Sequence, residues 1–137
     1  MKEEAEGQQP LQRILEIAHG YWASACLLAA NELGIFKILS LGPKDGKEIA
    51  RAIGGDLRAT IILLNALAAL GLLQKSEEKY QNVASTEPYL VEGKPGAITN
   101  MLLHSYDMWE AWGSLASVVR RGSPDINWEE NFLRQRP

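Results

Sequence analysis

A chain of 137 residues with 46% hydrophobic and 23% charged side chains has the size and apolar content of one globular domain with one core. Its formal net charge of −3 at pH 7 excludes a broadly basic nucleic-acid binder and leaves only a local basic patch to be sought. The single cysteine, Cys26, excludes an intrachain disulfide and makes a reducing compartment the expectation.

The first nine residues, MKEEAEGQQ, are polar and acidic and read as a disordered tail. They lack the basic and then apolar regions of a secretory signal. Pro10 suits the first turn of a helix, and Leu11, Ile14, Leu15 and Ala18 follow at helical spacing. Gly20 reads as a bend. A second helix runs from Tyr21 to about Leu33 and ends at Gly34. Its apolar stretch, Trp22 to Ala30, is interrupted by Ser24 and closed by Asn31-Glu32, well short of the about 20 residues that a membrane span needs. The expectation is a soluble, cytoplasmic protein without a membrane partner.

IFKILSLGP reads as a short helical turn stopped by Gly42-Pro43. Asp45 followed by Glu48 spells a capping box for GKEIARAI, which Gly54-Gly55 ends. Asp56 caps the next helix through Leu70, with Gly71 in the C′ position. LLQKS and KYQNV are short strands around the charged turn Glu77-Glu78. Helix, turn, helix and hairpin together make a winged helix-turn-helix. STEPYLVEGKPG is a loop or short helical turn. A long helix follows from about Ala97 to Arg121, with Ile98, Met101, Leu102, Ser105, Met108, Trp109, Trp112, Leu115, Ala116 and Val119 at three- and four-residue steps. Gly122 and Pro124 end it. The fold class is mainly α, a winged helix-turn-helix with flanking long helices and one small β-hairpin. Its expected domain is 10–124, after a tail at 1–9 and before a linker at 125–137.

A DNA-reading helix needs Arg, Lys, Asn or Gln at base edges and cations for phosphates. The helix after Asp56 offers Arg58, Thr60 and Asn65, and its other positions are Ala, Leu and Ile around most of the circumference. A helix apolar nearly all round is buried. The wing carries Glu77 and Glu78 beside Lys75 and Lys79, a poor surface for phosphate contacts. No nucleic-acid partner is expected, and the recognition-type helix is read as packing on protein. The two long helices carry more apolar face than a small three-helix core needs. Trp109, Trp112 and Trp128 are three of only four tryptophans, which suits an aromatic-rich interface. A C2 homodimer is the expected solution.

Three stretches carry a resemblance: GYWASACLLAANELGIFKIL, GPKDGKEIARAIGGDLRATIILLNALAALGLLQKSEEKYQNVAST and MWEAWGSLASVVRRGSP. In that order they resemble the N-terminal dimerisation domain of S-adenosylmethionine-dependent O-methyltransferases, the group with plant small-molecule and acetylserotonin methyltransferases. The resemblance runs from about Gly20 to Pro124. Its most specific parts are the ELGIF turn, the LLNALAALGLL join and the W-x-x-L…V-x-x-G-x-P close. It implies a two-domain enzyme whose winged-helix unit intertwines with its twin and whose second, Rossmann-like domain binds the methyl donor. The sequence shows no strand followed by a G-x-G-x-x-G-type turn with an acidic residue about 20 positions on. The family's catalytic histidine lies in the second domain and has no counterpart here. On this reading residues 125–137 lead toward an absent catalytic domain. The chain alone binds no cofactor and is inactive, S-adenosylmethionine belonging to a longer parent protein.

The resemblance also places the long helix at the back of the acceptor pocket. His104 is then a candidate to hydrogen-bond a phenol or carboxylate, although a surface or satisfied core histidine is the preferred reading. Met101, Met108 and Trp109, with Trp112, are candidates for an apolar wall against a small aromatic or phenolic acceptor, or for plain core or dimer interface. Tyr21, Trp22 and Trp112 are assigned to the dimer interface, and His19 to a structural role. Cys26 reads as a small buried apolar residue. One cysteine and two separated histidines make no zinc site, so no metal is expected. Ser24, Ser105 and Ser114 have no triad spacing, and Arg120-Arg121 fit the helix dipole. The leading expectation is a dimerisation and acceptor-pocket module. The alternatives are a winged-helix transcription regulator and a free-standing apolar-ligand-binding dimer.

Overall fold

The computed structural model describes residues 2–123; the expected stop at Pro124, the expected linker at 125–137 and Trp128 lie outside them. Helix α1 (Lys2–Glu32) is continuous over 31 residues. It absorbs positions 2–9, expected as a disordered tail, and passes through Gly20, expected as a bend. Lys, Glu, Ala and Gln are strong helix formers and carry the first turns. Pro10 lies inside the helix, where it forfeits one backbone hydrogen bond. Gly20 lowers helix propensity by about 1 kcal/mol but does not break the helix, which runs through it.

After Gly34, at φ 72°, comes α2 (Ile35–Leu39), then β1 (Lys44–Asp45) and α3 (Gly46–Ile53). The capping box expected from the sequence is formed. Asp45 Oδ1 accepts from the Glu48 backbone N–H at 2.9 Å, and Glu48 Oε2 from the Asp45 N–H at 2.8 Å. Helix α4 (Leu57–Ala69) is capped by Asp56, whose carboxylate accepts from the Ala59 N–H at 2.8 Å. Its buried side chains, Thr60, Leu64 and Leu67, recur at four and three residues, so one stripe faces the core. The expectation of burial nearly all round is corrected: Leu57, Ile62 and Leu70 are exposed in this chain.

Gly71, at φ 78°, turns the chain into β2 (Leu73–Ser76), which pairs antiparallel with β3 (Lys79–Asn82). The expected hairpin gains a third short strand, because β1 pairs with the other edge of β3 in the order β1-β3-β2. Lys44 faces Tyr80, and Leu73 faces Asn82. Tyr80 and Asn82 alternate inward along β3, and Asn82 Nδ2 donates to the Phe36 carbonyl at 2.9 Å. The core therefore sits between the C-terminal half of α1, α2, α4 and the sheet, with Ile35, Phe36, Ile49, Leu64, Leu67 and Tyr80 fully buried.

A helical turn, α5 (Glu87–Leu90), leads to the segment expected as one long helix. It is three pieces: α6 (Thr99–Asp107), α7 (Trp109–Gly113) and α8 (Leu115–Arg121), with joints at Met108 and Ser114. At the joints ψ is −1° and 9°, and Ser114 Oγ donates to the Ala111 carbonyl at 2.9 Å, competing with regular helix. The physical reason for the breaks is packing. Thr99 and Leu102 of α6 are buried, whereas α7 and α8 bury no residue, and helical order in proteins comes mostly from a packed face. Among the described residues no single helix is long and apolar enough to cross a membrane.

Candidate functional site

Helix α1 has two unlike halves. From Leu28 onward it packs into the core, and Asn31 Nδ2 donates to the Thr99 carbonyl at 3.1 Å, tying α1 to α6. From Gln8 to Ser24 every residue is exposed. That stretch carries Leu11, Ile14, Leu15, Ala18 and Trp22, an apolar stripe that nothing among the described residues covers. Trp112, Leu115 and Val119 of α7 and α8 are exposed as well. Leu, Ile and Trp in such a continuous arrangement mark an association surface.

The two exposed regions meet at an aromatic cleft of about 460 Å³ lined by Tyr21, Ser24, Trp109, Trp112 and Gly113. Tyr21 meets Trp109 edge to face, with ring centroids 6.5 Å apart and planes at 62°, the geometry that the ring quadrupoles favour. On the neighbouring turn His19 stacks on Trp22 at 4.0 Å and 10°. Trp112 is 70% exposed and presents an open face.

Of the residues singled out from the sequence, the structure brings Tyr21, Trp109 and Trp112 together and leaves the others outside the cleft. Met101 is 58% exposed and His104 is exposed. Met108 is half-buried at the α6–α7 joint. Trp22 lies beside the cleft, in edge contact with Tyr21 at 6.1 Å. Cys26 is half-buried against the core. Sequence reading missed Ser24 and Gly113 as liners. Ser24 sits three residues after Tyr21, hence on the same face of α1, but which residues stand opposite that face depends on how α7 crosses it.

A second cleft, about 350 Å³, lies between the end of α1, α2 and the start of α6. Its lining is mixed, with Asn31, Glu32, Lys37, Glu92 and Asn100 beside Phe36, Leu90 and Leu103, and Lys37 Nζ lies 2.9 Å from Glu92. Among the described residues no group of three or more His, Cys, Asp or Glu could hold a metal ion.

On the winged-helix face Asn65 and Lys75 are engaged within the chain. Asn65 Oδ1 accepts from the Tyr80 hydroxyl at 2.6 Å and from Lys75 Nζ at 3.3 Å. Lys75 Nζ also lies 5.3 Å from the Tyr80 ring centroid. Nothing in this face favours a transcription regulator. S-adenosylmethionine does not fit the described residues either. Its binding needs a strand opening through a glycine-rich turn onto a helix N-terminus. The strand-to-helix join present here is Asp45-Gly46, where an added Cβ would lie 2.7 Å from Ile61 Cγ1. That glycine makes room for a core side chain, not for a cofactor.

Comparison with known proteins agrees with the fold and the exposed surface. The family model of the O-methyltransferase dimerisation domain matches residues 15–92. The chain is 34% identical over 125 residues to the acetylserotonin O-methyltransferase of Mus musculus, covering 86% of this chain and 32% of that protein. It is 40% identical over 82 residues to the 3-hydroxy-5-methyl-1-naphthoate 3-O-methyltransferase of Streptomyces sahachiroi, covering 60% of this chain and 24% of that protein. Among solved structures, human N-acetylserotonin methyltransferase in complex with SAM superposes with a TM-score of 0.73 at 28% identity, covering 92% of this chain and 41% of that one. The chain thus spans about a third of the length of the curated relatives it matches.

Proposed function

The chain belongs to the family of O-methyltransferase dimerisation domains, and on that premise we propose that it joins two copies of an S-adenosylmethionine-dependent small-molecule O-methyltransferase and closes one wall of each acceptor pocket. The observation that carries the reading is the uncovered apolar stripe of α1 between Leu11 and Trp22, continuous with exposed aromatic rings on α7. A second copy would bury the stripe by a twofold operation, which makes a homodimer the simplest closed assembly.

In this reading the methyl transfer and the methyl donor belong to a separate S-adenosylmethionine-binding domain of the whole protein. The present residues supply position: they hold two such domains at a fixed distance and set the angle at which an acceptor meets the donor. Tyr21, Trp109 and Trp112 form the wall, while Met101 and His104, exposed outside the cleft, are left to the partner-facing surface. Sedimentation equilibrium tests the pairing. The expected mass is twice the 15.1 kDa of the chain, and a monomer throughout the micromolar range would sink the reading.

A further inference from the structure

We propose that a second copy pairs with this chain most tightly when His19 is neutral, and that protonation of this one imidazole loosens the pair. The proposal rests on the pairing reading above and adds its regulation by pH, through the stack of His19 on Trp22.

The placement follows from the helix. Leu11, Leu15, Ala18 and Trp22 recur at four- and three-residue steps and so share one face of α1. His19 stands on the flank of that face, three residues before Trp22 and within its reach. The two rings lie parallel, with centroids 4.0 Å apart and planes at 10°, so imidazole covers one face of the indole. Trp22 is still 56% exposed. A second copy that covers the stripe covers Trp22, and the imidazole stacked on it loses water at the same time.

The sign follows from what each state offers a charged ring. In the lone chain a protonated imidazole keeps its outer face in water and gains the indole π-face beneath it. In the pair it keeps the indole but surrenders hydration, which penalises the charged form. Protons therefore bind the separate chains better than the pair. By linkage, association is at full strength above the range in which histidine ordinarily titrates and weakens as pH falls through it.

The charged neighbours within the chain do not reverse this. On α1 Glu16, one turn earlier, lies 3.6 Å from Arg13 and accepts from Gln12 Nε2 at 3.4 Å. The next charged residue of α1 after His19 is Glu32. Helices α6 and α7, which pass this stretch through the contact of Trp109 with Tyr21, bring Asp107 and Glu110, both exposed. These groups act on the imidazole in the lone chain and in the pair alike, so the loss of water is what differs between the two states.

Sedimentation equilibrium of the chain at about pH 7.5 and about pH 5.5 tests the proposal, a range in which histidine ordinarily changes charge and carboxylates ordinarily do not. The dissociation constant should rise about tenfold at the lower pH, inside the roughly 5- to 150-fold range of couplings between two binding events. The chain has 2 histidines, so the source is separable. His19→Gln should remove the response and His104→Gln should keep it. His19→Arg, with its permanent charge, should pair weakly at both pH values. A constant that does not move with pH overturns the proposal. So does one that tightens at the lower pH, which would put a carboxylate of the second copy against the imidazole. A response that survives His19→Gln, or that comes with loss of the helical circular dichroism, overturns it too. A chain already monomeric at the higher pH sinks instead the pairing on which the proposal stands.

Discussion

The two halves of α1 make an instructive pair. Both carry apolar side chains at helical spacing, and both belong to one uninterrupted helix. The C-terminal half sends Leu28 and Ala30 into a core shared with α2, α4 and the sheet, whereas the N-terminal half sends Leu11, Ile14 and Leu15 into solvent. The first half is richer in Glu and Gln and the second in Ala, but both stripes are apolar, and what differs is whether the described residues supply a covering surface. Burial depends on what packs against a face as much as on the side chains it carries. The same contrast repeats between α6, anchored by Thr99 and Leu102, and the unanchored α7 and α8.

Breaking either half should give separable results. Phe36→Ala, in the closed core at 1% exposure, should cost about 3–5 kcal/mol and shift the urea midpoint in every solution condition. Leu15→Glu, on the open half, should raise the dimer dissociation constant roughly hundredfold by placing an unpaired charge in the interface. The circular dichroism of the core should survive it; loss of the whole fold would place Leu15 inside the folding unit. Asn65→Ala should cost about 1–2 kcal/mol, since the Tyr80 hydroxyl would lose its acceptor, and should do so equally in dimer and monomer. The smallest change is a gain. Glu77 and Glu78 hold φ of 50° and 66° at the β2–β3 turn, so Glu78→Gly should stabilise the core by about 1 kcal/mol and leave association untouched. An altered dimer constant in that variant would show that the wing takes part in the interface.

The parts legible in the sequence are those decided within a few residues. Asp45 with Glu48, Asp56, Gly54 and Gly71 announce their helix ends because capping is local chemistry, and all four act as read. The hairpin was legible for the same reason, while its third strand was not, since Lys44-Asp45 has no strand pattern of its own and is recruited by β3. The tail and the bend assigned to α1 came from reading Glu and Gln as solvating and Gly20 as a breaker. The unbroken helix expected over 97–121 came from periodicity, which counts apolar positions without knowing whether anything packs on them. The cleft is half legible: three of its rings stood out as aromatic, but Ser24 and Gly113 acquire their place only where α7 crosses α1.

A continuous α1 also has a mechanical meaning. At 1.5 Å per residue, 31 residues make a rod about 46 Å long, gripped at one end by Asn31 and Thr99. A tilt of about 5° at that grip moves the far end by roughly 4 Å over such a length. A loop at Gly20 would have dissipated the motion, and the helix delivers it. In a pair joined along these rods, a tilt of one core would be carried by α1 to whatever its far end meets.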